Sequence, residues 1–523
     1  MRMDKSFMSF LFVVTVLTLL SGCGGSSSSS LPAASKTVTG SVFAAPVEGA
    51  EVTITRSDGH VIAGPVKTTA DGAYSIRIPK SALANDLIIT SSTGTFTDEA
   101  TGQETPAGTL AAFVSGGSLT TVTAVHLDPS TTIIHDLVIT HGKTLAAAET
   151  AFSSAFGYIP DATIAPKNAP SSGADEAQRL SGLRAIAFSQ LTRDMSLTPD
   201  KQFDLLAALA ADLADDGLLN GSAGTVNGSG IPADIQNRFE HALVSLLTNT
   251  AVNLTGLTTD KIGSLPFGKV VQTPSYMVEY MPMGMMGSRV GKTAFKIKIT
   301  NLIGGTPATG KSISLMPLMH MPDTSHSTPV GSITDNGDGT YSCTAYYLMA
   351  SGPGMGYWDL QIKIDGMMGE TATFYPAVGM AMGDTVRTTL KGQTDIISSM
   401  TGTEKRSYYL FKDDLVTAGT STFNLFIAAK QSMMSYPAVS SGTVLSSPTG
   451  TITMTVDAST DGSSWVAATD NTKGSWSIPG LSGLVSGTTG TIYVRMKVNG
   501  EDKTTDGNAA SGANGYATFV VTP

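Results

Sequence analysis

Residues 358–366 read Trp-Asp-Leu-Gln-Ile-Lys-Ile-Asp-Gly, and residues 492–500 read Ile-Tyr-Val-Arg-Met-Lys-Val-Asn-Gly. In both, apolar and polar side chains alternate, the period of a strand with one face in a core and one in water. Both close on Asp-Gly or Asn-Gly, pairs that accept the left-handed backbone of a tight hairpin. Two further pairs lie around them. Residues 294–299 (Ala-Phe-Lys-Ile-Lys-Ile) match 422–427 (Thr-Phe-Asn-Leu-Phe-Ile), and 371–374 (Thr-Ala-Thr-Phe) match 516–519 (Tyr-Ala-Thr-Phe). This internal repeat predicts two copies of one β-sandwich, over 270–378 and 379–523, each ending in a long core strand and a hairpin.

Upstream, over 128–265, the period changes. Leu180, Leu183, Ala187 and Leu191 step by three, four and four; Leu205, Leu209 and Leu213 step by four, as do Phe239 and Leu243. Such stripes predict amphipathic helices that need partners. Asp128, Ser130, Thr198 and Pro232 are start signals, and Gly142, Gly157 and Gly217 are stops. Further upstream, over 36–127, alternation returns. The fold class expected is mainly β with a helical middle region: several β-sandwich modules of immunoglobulin-like or prealbumin-like type, plus a helix bundle.

Three segments of the first module carry a family likeness: Gly40-Ser41-Val42, Gly49-Ala50-Glu51-Val52-Thr53-Ile54 and Thr69-Ala70-Asp71-Gly72-Ala73-Tyr74-Ser75-Ile76. Over residues 38–95 the chain resembles the carboxypeptidase regulatory-like domain, a prealbumin-like β-sandwich. That resemblance implies a structural or carbohydrate-adjacent module without catalysis.

The N-terminus has Arg2 and Lys5 ahead of a 14-residue apolar run over 7–20, too short to span a bilayer and suited to a signal sequence. Leu20-Ser21-Gly22-Cys23 follows and resembles the lipobox of bacterial lipoproteins. The resemblance implies that 1–22 is removed and that Cys23 is lipidated. Residues 23–35 are a Gly/Ser tether. The residue after Cys23 is not Asp, which for a Gram-negative lipoprotein implies outer-membrane sorting, facing the periplasm or the cell surface.

Composition narrows the classes. The 523 residues carry a net charge of −10, or −11 once Arg2, Asp4 and Lys5 leave with the signal. An acidic chain lacks the basic footprint of a nucleic-acid binder. Forty-one per cent hydrophobic residues exclude wholesale disorder. Besides Cys23 there is one cysteine, Cys343, so no internal disulfide is expected.

Chemistry-bearing motifs are thin. Residues 305–312 (Gly-Thr-Pro-Ala-Thr-Gly-Lys-Ser) fit the P-loop string, but a phosphate loop must open a helix, and the sequel at 313–319 reads as strand. Asp335-Asn336-Gly337-Asp338-Gly339-Thr340-Tyr341 lacks the closing Glu of a calcium loop and reads as a hairpin turn like Asp71-Gly72-Ala73-Tyr74. Cys343 reads as a buried thiol, with a soft metal ligand as the alternative. No nucleophile is paired with a base, and no enzyme is expected.

Methionine is the exception. Residues 277–382 hold 14 of the chain's 23 methionines. Some fit core packing, such as Met349 after Tyr346-Tyr347. The stretches Met281-Pro282-Met283-Gly284-Met285-Met286 and Met319-His320-Met321-Pro322, with His326 beyond, read as loops instead. Thioether sulfur is soft and suits Cu(I), with imidazole as co-ligand. The candidate metal residues are Met281, Met283, Met285, Met286, Met316, Met319, His320, Met321 and His326. Residues 315–321, Gly331, Gly339-Thr340-Tyr341 and Gly354-Met355-Gly356-Tyr357-Trp358-Asp359-Leu360 resemble the YtkA-like β-sandwich family, which implies an exported setting near copper and oxidase assembly. No His-x-Met follows His320-Met321, a departure from periplasmic copper chaperones. A flexible, Met-rich docking surface is the other explanation.

The expectation for function is a non-catalytic, membrane-anchored envelope lipoprotein acting as a binding or structural module, with an envelope protein or polysaccharide as partner. The alternative is periplasmic Cu(I) binding by the Met/His loops.

Overall fold

The computed structural model describes residues 34–523 apart from 169–172, 265, 285–286, 367, 400–401 and 447–448. The signal segment, Cys23 and most of the tether lie outside the described residues. The chain is mainly β; among the described residues, antiparallel sheets flank a group of five α-helices.

The first sandwich pairs Ser35–Ser41 with Ala73–Pro79. They face a four-stranded sheet in the order Val61–Lys67, Glu51–Arg56, Leu87–Ser92, Leu110–Val114. Alternation puts Val38, Val52, Ile54, Ile76 and Ile89 inside. Gly72 sits in the turn at φ 76°, and Tyr74 donates its hydroxyl to the Val125 carbonyl at 2.7 Å, tying the hairpin to the approach to the helices.

The helices are α1 (Pro129–Ile139), α2 (Leu145–Phe156), α3 (Glu176–Asp194), α4 (Gln202–Asp216) and α5 (Ile235–Thr248). Asp128 caps α1: its carboxylate accepts from Thr131 N, and Thr131 Oγ1 accepts from Asp128 N, both at 2.9 Å. Gly157 and Gly217 end α2 and α4 in the left-handed conformation that glycine adopts without strain. Phe156, Phe188 and Phe239 meet at 4.8–5.6 Å between α2, α3 and α5. One cluster of buried apolar side chains runs from Val38 and Ile54 through Leu137 and Leu209 to Leu246, Tyr357 and Tyr375. The change of period near residue 128 therefore marks a change of secondary structure, while the packing passes through it.

Two sandwiches follow with one shared strand order. The first has a five-stranded sheet, Val270–Gln272, Tyr276–Pro282, Gly291–Asn301, Thr340–Tyr347, Thr334–Asp335. Opposite lies Ser325–Ser327, Ile313–His320, Tyr357–Ile364, Glu370–Phe374. The second repeats this with Arg387–Ser399, Gly402–Ala418, Thr420–Ala429, Ser475–Leu481, Thr469–Asp470 over Val466–Ala467, Met454–Ser459, Gly490–Val498, Glu501–Lys503. Ala517–Val521 also pairs with Gly490–Val498. The first two similar pairs fall on equivalent strands; 371–374 lies on Glu370–Phe374 and 516–519 overlaps Ala517–Val521, both partners of the long core strand of their sandwich. Asp365 and Gly366 stand at φ 61° and 87°, and Asn499 and Gly500 at φ 50° and 81°, so both hairpins turn through left-handed pairs. Residues 305–312 lead into the strand Ile313–His320, and Lys311 Nζ pairs with Asp365 at 2.9 Å. No helix N-terminus follows them.

Candidate functional site

Strand alternation sorts the methionines. In Ile313–His320, Leu315, Pro317 and Met319 face the core, while Ser314 and Met316 face out. The segment 319–320, expected as loop, is therefore the end of a strand paired on both sides. Pro317 is tolerated because its carbonyl accepts from Ser327 Oγ at 2.8 Å, so its missing N–H also points to that edge. The Ser325–Ser327 ladder stops there, at Leu318.

Of the nine expected ligands, the seven on described residues do not converge as one set. Met319 is fully buried in the core, and Met321 is half-buried against it. Met281 is 36% exposed on the outer face of the five-stranded sheet, and Met316 is 42% exposed on the outer face of the opposite sheet. The sandwich, about 10 Å between sheets, separates them. Met283 is exposed in the turn after Tyr276–Pro282. Met285 and Met286 lie outside the described residues.

His320 is held on the outer face. Its ring stacks on Tyr357 at 4.7 Å, and Nε2 stands 3.6 Å from Asp359 Oδ2. Tyr357 belongs to the core shared with the helices. That side of the sheet is tied to α5 by Asn237 Nδ2 donating to Thr373 O at 3.1 Å, and by His241 and Tyr375 at 2.9 Å.

His326 turns the other way. It is 7% exposed and lies opposite Met319, which in turn lies opposite Trp358. The three form a row across the inner face, with the His326 ring edge-on to Trp358 at 5.5 Å. Met349 closes the row from the facing sheet's side: its Sδ is 3.2 Å from His326 Nε2, and its carbonyl accepts from Trp358 Nε1 at 3.0 Å. His326 Nδ1 is 2.7 Å from the Ser327 carbonyl. A carbonyl only accepts, so Nδ1 carries the proton, and in the neutral ring Nε2 presents its lone pair to sulfur. Burial lowers the imidazole pKa and favours that neutral ring. Sequence reasoning assigned Met349 to packing and missed it. No local signal pairs residues 23 apart, because only the sandwich brings them together.

Cys343 is buried in the core, opposite Phe295 on the neighbouring strand. Its thiol is pushed up to about 12 by burial and stays protonated. Among the described residues, no three His, Cys, Asp or Glu side chains group as a metal site. That leaves the mixed His and Met row as the cluster with ligand chemistry.

No family model matches the chain, and no curated protein matches it. Among solved structures, one likeness is to invasin, a bacterial integrin-binding protein, at 10% identity over 90% of this chain and 57% of that one, with a TM-score of 0.15. Another is to domains 4–9 of the surface layer protein SbsC, at 12% identity over 48% and 31%, TM-score 0.15. A third is to residues 217–571 of S. aureus TarS, at 10% identity over 59% and 79%, TM-score 0.13. The chain thus spans little more than half of the first structure and a third of the second.

Proposed function

We propose that the chain is a lipid-anchored protein of the cell envelope that works as a non-catalytic binding or structural module. The observation that supports this reading best is how its parts are joined. The first sandwich and the helices share one core, that core reaches Tyr357 and Tyr375 of the next sandwich, and an aromatic seam holds the last two sandwiches together. Buried apolar area goes into fixing β modules against one another, which suits a body that presents surfaces at a set distance from a membrane. Among the described residues no helix is long and apolar enough to cross a membrane. Attachment in this reading is through Cys23, at the outer membrane, with the Gly/Ser tether as spacer.

The partner is an envelope protein or polysaccharide. Photo-crosslinking groups at the exposed positions Val61 on the first sandwich and Val485 on the last test this in living cells. Discrete, saturable adducts are expected. No adduct from either position, at native abundance, overturns the binding reading.

A further inference from the structure

The inner row of the third module, the sandwich over 270–378, has a chemistry that does not depend on the membrane anchor. Burying a hydrogen-bond acceptor without a donor is costly, and native interiors rarely do it. His326 Nε2 is such an acceptor. Its other nitrogen is committed to the Ser327 carbonyl, and the atom it faces at 3.2 Å, Met349 Sδ, has no proton to give. Two Lewis bases pointed at each other gain if a cation sits between them. One base is an imidazole nitrogen and one a thioether, a pair that suits Cu(I) over hard cations. Met319, the cross-strand neighbour of His326, brings a second sulfur to the same face. Trp358 borders the row with its aromatic ring, a surface that attracts cations.

The location also fits a loading site. Ser327 N donates to the Met433 carbonyl at 2.8 Å, which brings the Met433–Met434 loop of the last sandwich beside the His326 strand. A cleft of about 850 Å³ opens there, lined by Ser325, Met433 and Met434 among others, and Met434 is 55% exposed. A backbone contact and a cleft thus place methionines of the last sandwich beside the strand that carries His326.

We infer that His326 Nε2 and Met349 Sδ, with Met319 as the third ligand, form a binding site for one Cu(I) ion. The exposed methionines Met281, Met283 and Met316 are not part of it.

The test uses the full chain carrying C23S, so that no surface thiol competes, in an anaerobic titration against a chromogenic Cu(I) chelator. Transfer of one Cu(I) per chain is expected. H326Q and M349L should each weaken binding by roughly tenfold or more, with unchanged circular dichroism; Leu for Met conserves volume, so the fold is kept. M316L and M283L should bind as the parent does. X-ray absorption of the loaded protein should show mixed nitrogen and sulfur ligation. Failure to withdraw Cu(I) from the chelator overturns the site. So does equal binding by the parent, H326Q and M349L. Neither result bears on the anchoring or crosslinking experiments.

Discussion

Tyr346 of the third module and Phe426 of the last stack face to face, with ring centroids 3.9 Å apart and planes within 4°. Both occupy outward positions of their strands. In the equivalent strand of the third module, the position of Phe426 is Lys298, which is exposed. The second copy has exchanged a solvated charge for a ring, and the first copy covers it. Asp413 reinforces the seam, accepting from the Tyr346 hydroxyl at 2.7 Å and pairing with Lys292 at 3.0 Å.

Replacing that ring should uncouple the two sandwiches. F426A is expected to cost about 3–5 kcal/mol, as for other buried aromatic truncations. F426K, which restores the residue of the first copy, should leave each core intact. Scanning calorimetry should then resolve two transitions where the parent shows one across these modules. An unchanged single transition in F426K contradicts a seam of this strength.

The last sandwich holds a buried charge cluster. Asp395 accepts from Arg406 Nε at 3.0 Å and from the Tyr408 hydroxyl, while Lys503 Nζ lies 3.6 Å from Asp395 and 2.7 Å from Glu501. Arg406 and Lys503 are 0% and 1% exposed, so neither can turn to water. Removing one partner leaves a buried cation uncompensated, and D395A should cost about 3–5 kcal/mol. Urea denaturation of D395A against the parent measures it; a loss under about 1 kcal/mol would mean water enters the cluster freely.

Glu99 predicts a pH dependence. Burial pushes its carboxyl up to about 8; one oxygen accepts from Asn168 Nδ2 at 3.2 Å and the other has no partner. The folded state therefore holds this proton more tightly than the unfolded chain does. Its contribution is fully present below about 4.5 and is lost as pH rises through about 8, at up to 1.36 kcal/mol for each unit of difference. E99Q should flatten the fall in thermal stability between pH 5 and 9 relative to the parent. Parallel curves for the two proteins contradict the assignment.

The β architecture was legible because alternation in 358–366 and 492–500 is nearly uninterrupted, and their Asp-Gly and Asn-Gly ends name the turn. The helices were legible from Leu180 to Leu213, and Asp128, Gly157 and Gly217 mark ends that the structure uses. The methionines were less so. Prolines on either side of Met319 and Met321 suggested a loop, yet Pro317 sits where its strand needs no donor, and the period of two then carries Met319 inward and His320 outward. Met349 and His326 face each other through sheet packing, which leaves no pattern in the chain. The seam did leave one: in Phe-Asn-Leu-Phe-Ile-Ala-Ala (423–429) alternation fails because both faces are covered, and a comparison of Lys298 with Phe426 points to it.

In the proposed function, the body of modules is held at a membrane through Cys23. The most direct measurement is the intact mass of the protein extracted from membranes with detergent. A chain that begins at Cys23 and carries the added mass of a diacylglyceryl group is expected, with C23S appearing in the soluble fraction. A chain beginning at any other residue, or an unmodified Cys23 on membrane-extracted protein, would contradict it.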